Sequence, residues 1–105
     1  MPVEIMATQD RVTAFLDGEI DHHTAAAIRE EIDKSIAVNK PKNLTLDYSA
    51  VTFMDSSGVG LVMGRYRAIQ PYGGKITVAN LSPSIYKVMR LAGIERIAKI
   101  TRSDK

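Results

Sequence analysis

The chain opens with two runs rich in strand-forming residues, at positions 3–7 and 12–16, separated by the polar Thr8-Gln9-Asp10-Arg11. A gap of that length and polarity is a hairpin turn. Asp17-Gly18 follows, where an isolated glycine points to a bulge or a twist near the end of the second strand. From Asp21 the period lengthens. Ala25, Ile28, Ile32 and Ile36 recur at intervals of three and four, with Glu30, Glu31, Asp33 and Lys34 on the other side. This pattern predicts an amphipathic helix with Asp21 placed to cap its start. Asn39 and Pro41 stop it.

A strand at 44–48 then enters a loop that ends at Phe53-Met54. A second helix begins near Ser56, and its apolar face is Val59, Val62, Met63, Tyr66 and Ile69. Pro71 and Gly73-Gly74 end it, and a strand at 75–79 follows. Ser82-Pro83 marks a third helix, with serine as cap and proline in the first turn. Ile85, Val88, Met89 and Ala92 line that helix, Gly93 closes it, and residues 97–100 form a short last strand.

The order β-β-α-β-α-β-α-β implies an α/β fold with a mostly parallel sheet. Right-handed crossovers link its parallel strands, and the first strand is added antiparallel at an edge. There is no internal repeat, linker or low-complexity segment, and one layered domain over residues 1–105 takes in everything but the tail.

Composition narrows the classes of function. At 105 residues the chain can bury one core and has no room for a large internal active site. No stretch reaches the roughly 20 apolar residues that span a bilayer, and the start lacks a secretory signal pattern. Cysteine is absent, which fits a cytoplasmic protein. Fourteen basic residues are interleaved with twelve acidic ones, and the densest basic stretch, residues 99–105, is broken by Asp104. That is a solvated surface and not a nucleic-acid-binding face. Neither a nucleic acid nor a membrane is an expected partner.

The chemistry of interest lies at Asp55-Ser56-Ser57-Gly58. A helix start offers amide groups without intrahelical partners and the positive end of the helix dipole, a setting that welcomes a phosphate. Gly58 and Gly60 would let another backbone approach the first turn. Three readings of Ser56 and Ser57 stand at this level: a helix cap, a phosphoryl acceptor, or a hydrolase nucleophile. The last lacks a G-x-S-x-G elbow, and the only histidines, His22 and His23, are adjacent in an earlier loop. Gly58-Val59-Gly60 with Gly64 is no dinucleotide fingerprint, and no glycine loop ends in a P-loop lysine. Asp21-His22-His23 is a poor metal set, because adjacent residues seldom share an ion and no third ligand is evident. Neither a metal nor a cofactor is expected.

The run Phe53-Met54-Asp55-Ser56-Ser57-Gly58-Val59-Gly60-Leu61, continuing to Gly64-Arg65-Tyr66, resembles the signature of the STAS-domain anti-sigma factor antagonists, and in particular their sporulation members. Gly18-Glu19-Ile20-Asp21-His22-His23-Thr24 resembles their first strand-to-helix loop, and Gly73-Gly74 and Ser82-Pro83 also fall in place. The likeness covers nearly the whole chain, although family members continue into a terminal helix beyond the point where this sequence stops. It implies a single STAS domain that acts in transcription regulation by partner switching. The unphosphorylated protein binds an anti-sigma factor that is also an ATP-dependent serine kinase, which frees the sigma factor. Phosphorylation on the serine after the aspartate, here Ser56, ends the complex, and a serine phosphatase reverses it. The resemblance places partner contacts at Asp21, His22, His23, Asp55, Ser56, Ser57, Gly58 and Gly60; the expected protein is a monomer and is not an enzyme. A rival within the same fold is an interaction module of a stress-response or transport complex.

Overall fold

The turn at Gln9-Asp10 folds β1 (Val3–Thr8) antiparallel onto β2 (Arg11–Ile20), with Thr8 opposite Arg11 and Val3 opposite Leu16. In this computed structural model, which describes residues 2–103, three parallel strands extend the sheet from there. They are β3 (Asn43–Met54), β4 (Lys75–Leu81) and β5 (Lys99–Arg102), and the order across the sheet is β1-β2-β3-β4-β5. The crossovers carry α1 (His22–Asn39), α2 (Ser57–Ile69) and α3 (Pro83–Leu91). Short 3₁₀ turns follow α2 at Gln70–Tyr72 and α3 at Ile94–Arg96.

Strands 2 to 5 advance across the sheet in chain order, so right-handed crossovers deliver every helix to the same face. Burial follows from that. Val12, Ala14, Leu16, Leu44, Leu46, Tyr48, Ile76 and Val78 point into the helical layer and are buried. The alternate positions of the same strands face away from it, and there Thr13, Thr45 and Thr77 lie side by side across three strands. The helices contribute Ile28, Ile32 and Ile36 from α1, Leu61, Val62 and Ile69 from α2, and Ile85 and Met89 from α3. Fully burying one such side chain contributes about 1.5–3 kcal/mol, so the helix-facing side of the sheet carries the stability.

The antiparallel edge strand, the parallel sheet, the three helices and the caps of α1 and α3 are as the sequence implies. Four details differ. First, β3 does not pass into a loop after residue 48 but continues to Met54. It can do so because β2 also runs on past Leu16, with register shifts on either side of Gly18 (φ +83°), and keeps residues 50–54 paired. Second, α2 buries Leu61 and Arg65, neither of which belongs to the expected face. This helix packs on α1 as well as on the sheet, and Arg65 closes that second contact by pairing with Asp33 of α1. Third, α3 buries only Ile85 and Met89, leaving Val88 and Ala92 exposed, because it covers just the edge formed by β4 and β5. Fourth, the last strand starts at Lys99, since residues 94–96 first make a 3₁₀ turn that buries Ile94. The end of the basic tail, residues 104–105, lies outside the described residues.

Candidate functional site

Beyond Tyr48, β3 has left β4 behind and pairs with β2 alone. This two-stranded extension carries the site. Ile20 and Met54 are register partners at its tip, and the Asp55 amide donates to the Ile20 carbonyl at 3.0 Å. Asp21 and Asp55 therefore emerge side by side at the carboxyl ends of parallel strands, each heading a helix. That is where open α/β sheets place their binding loops.

Asp21 caps α1. Its Oδ1 accepts from the amides of His23 at 2.9 Å and Thr24 at 2.8 Å, while the Asp21 amide donates to Thr24 Oγ1 at 2.9 Å, closing a capping box. The Thr24 amide, followed by the Thr24 hydroxyl and the His23 amide, holds the Asp21 carboxyl below its ordinary pKa against a smaller effect of desolvation. Thr24 Oγ1 also donates to the Glu19 carbonyl at 2.9 Å, which ties the helix start to the end of β2. His22 and His23 occupy the exposed first turn, and neither is hydrogen-bonded to Ser56 or Ser57.

At α2 the expected cap is displaced by one residue. Ser56 stands at the N-cap with helical backbone angles (φ −61°, ψ −17°), and its side chain makes no capping hydrogen bond. Asp55 serves instead: its Oδ1 accepts from the Ser57 amide at 2.7 Å. The Gly58 amide donates to the Asp55 carbonyl, and the amides of Val59 and Gly60 donate to the Ser56 carbonyl, each at 3.1 Å. The amides at this helix start are thus already engaged, more fully than a free anion site would leave them. The Ser56 hydroxyl is exposed and has no hydrogen-bond partner among the described residues.

Behind the exposed serine the turn is pinned. The Tyr48 hydroxyl, deep in the core, donates to the Gly58 carbonyl at 3.3 Å. A Cβ on Gly58 would collide with Sδ and Cγ of Met54, so a larger residue there would force the Met54 side chain to move where the end of β3 folds against the helix. The close approach is made by a side chain, not by another backbone. At Gly60 a Cβ would meet nothing within 4 Å, so no backbone of this chain makes the approach there. Phe53, 54 % exposed, adds an apolar surface beside the turn. Tyr48, Met54 and Phe53 form no chemical motif, and only the strand register reveals their part in the site.

Arg65 fixes α2 against α1. Its Nε lies 2.9 Å from Asp33 Oδ1 without pointing at it, and the aligned hydrogen bond is Nη2 to Oδ2 at 3.4 Å. The Arg65 side chain is 7 % exposed and that of Asp33 44 %, so the pair sits at the lip of the helix–helix contact.

The fold is thus a single mixed α/β domain that presents a pinned turn with an exposed serine hydroxyl at its strand tips. The STAS domain model matches residues 4–104, and the chain belongs to that family. Its relatives include the anti-sigma F factor antagonists of Lysinibacillus sphaericus, 37 % identical over 89 residues (85 % of this chain and 76 % of the relative), and of Paenibacillus polymyxa, 34 % identical over 85 residues (81 % and 73 %). Among solved structures, the unphosphorylated form of the anti-sigma factor antagonist SpoIIAA superposes with a TM-score of 0.82 at 33 % identity, covering 93 % of this chain and 86 % of the other. The phosphorylated form of SpoIIAA, a Bacillus cell fate determinant, gives 0.74 at the same identity, covering 93 % and 89 %.

Proposed function

We propose that this protein is an anti-sigma factor antagonist that works by partner switching, with Ser56 as its phosphorylation site. The unphosphorylated form binds an anti-sigma factor that is also a serine kinase, with ATP or ADP in the kinase, and so releases the sigma factor. Transfer of the γ-phosphoryl group to the Ser56 oxygen dissociates the complex, and a serine phosphatase restores the hydroxyl. The protein acts as a monomer in the cytoplasm and itself catalyses nothing. Asp21, His22 and His23 from the first loop, with Asp55, Ser56, Ser57, Gly58 and Gly60 from the second, form the docking surface.

The observation that carries this reading is the division of labour at the second turn. Asp55 and the Ser56 carbonyl satisfy the helix start, which leaves the Ser56 hydroxyl outward and unengaged. A serine needed as a cap would spend its oxygen on the helix. Phosphorylation adds about −1.5 to −2 charges and three strong acceptors. The helix dipole would stabilise that charge by about 0.3–2 kcal/mol, and Asp55 opposes it. The internal balance is small. Pressing an unmatched dianion against a docked protein costs several kcal/mol, and a loss of about two to four decades in affinity needs only about 3–5.5 kcal/mol. The switch is therefore electrostatic and steric at the interface.

Titration of an anti-sigma F factor with Ser56→Ala should give binding that ATP cannot reverse, whereas Ser56→Asp should bind at least about tenfold more weakly, a change of about 1.4 kcal/mol. Equal binding by Ser56→Asp and the parent protein would refute the switch at this residue.

A further inference from the structure

Between α1 and α2 runs a groove of about 520 Å³ that begins at the site, at His22 and Ser57, and follows both helices. Its uncharged lining includes Ala25, Ala26, Gly60, Leu61 and Gly64, and neither glycine has an atom within 4 Å of the place a Cβ would take. Every titratable side chain lining it is basic or imidazole: His22, Arg29, Arg65 and Arg67. Arg65 is committed to Asp33. Arg29 and Arg67 are exposed and have no hydrogen-bond or ion-pair partner among the described residues. The crowding of like charges is felt inside the groove. Burial lowers the Arg65 pKa most, Asp33 opposes that, and repulsion from Arg29 lowers it further.

Like charges gathered along an open track, with no acid of the track's own lining to neutralise them, call for an anionic occupant. The shape says which kind. Ser57 and Arg67 are ten residues apart on one helix, and at 1.5 Å per residue the track is about 15 Å long. A single phosphate cannot span that distance, whereas about three turns of helix or four to five extended residues can. We propose that this groove extends the docking surface along the two helices and receives an acidic peptide segment of the kinase that modifies Ser56, its carboxylates meeting Arg29 and Arg67. The inference rests on the partner-switching reading and names what that reading leaves open: what the kinase must carry beside its active site. It also gives Gly60 and Gly64 a role, since larger side chains would fill the track.

The test uses the whole protein and a purified anti-sigma F factor first shown to phosphorylate it. The double variant Arg29→Glu/Arg67→Glu should raise KM for phosphorylation at least tenfold and leave kcat within about twofold, because the contacts lie away from the phosphoryl transfer. Arg29→Lys/Arg67→Lys should restore most of the lost affinity, and raising the salt from about 50 to 300 mM should weaken the parent protein's binding more than the glutamate variant's. Gly64→Leu, at a half-exposed helix position with no atom within 4 Å of a Cβ, keeps the fold while blocking the track, and should also raise KM. Parent-like KM in both the double variant and Gly64→Leu would overturn the groove assignment while leaving the Ser56 switch intact. A parent protein that accepts no phosphate would instead remove the underlying reading. Tight binding of inorganic phosphate to the parent and not to the double variant, with unchanged kinase kinetics, would make the groove a small-anion site and contradict the proposal.

Discussion

Ser56 differs from an ordinary capping serine by what its neighbours do. The sequence leaves a cap, an acceptor and a nucleophile open for the Asp55-Ser56-Ser57 run, and the structure removes the first of these for Ser56 by giving the capping work to Asp55. Asp21 was legible as a cap, because an aspartate just before a helical period has few other uses, and its capping box is present. Tyr48 was not legible as part of the site. A tyrosine inside a strand reads as core, and its hydrogen bond to the Gly58 carbonyl depends on how α2 lies on the sheet. That bond gives a test at this scale. Tyr48→Phe should destabilise the protein by about 0.5–1.5 kcal/mol at neutral pH, measured by urea unfolding. Burial also pushes the Tyr48 phenol above the ordinary tyrosine range. With the folded pKa raised, this contribution is fully present below the unfolded value of about 10 and is lost as the pH climbs above it, because only the unfolded chain gives up the proton. The parent should lose stability above pH ~10, and Tyr48→Phe should lose less over the same range.

At the scale of elements, period and punctuation located all three helices, and their caps fell at Asp21, near Ser56 and at Ser82. The errors share a cause. A single-face reading of α2 omits Leu61 and Arg65 because the helix is covered from two sides, by the sheet and by α1. The second half of β3 reads as a loop because its pairing depends on a bulged extension of β2, which no local pattern reports. Gly60 illustrates the same limit: a glycine in a helix suggests crowding, yet the space around it is open. Gly60→Ala should therefore stabilise the fold by about 0.5–1 kcal/mol, through helix propensity alone, in thermal or urea unfolding. Destabilisation would mean that the groove closes onto this position in solution.

For the molecule as a whole, the order of elements gave the layered sheet, and the signature around Ser56 gave the family; neither could have replaced the other. The fold holds its helices on one face and brings two helix starts to one rim, so a charge added at Ser56 lies on the exposed rim and away from the core. Nothing in the packing needs to move for such a charge to matter, and the helix-start amides are already engaged. The most direct measurement is the mass and fragmentation spectrum of the protein after incubation with an anti-sigma F factor and ATP, followed by titration of the product against fresh anti-sigma factor. One phosphate on Ser56, with affinity reduced about a hundredfold or more, is the expected result, a difference of about 3 kcal/mol or more. A phosphate on Ser57, or a product modified at Ser56 that binds as tightly as before, would contradict it.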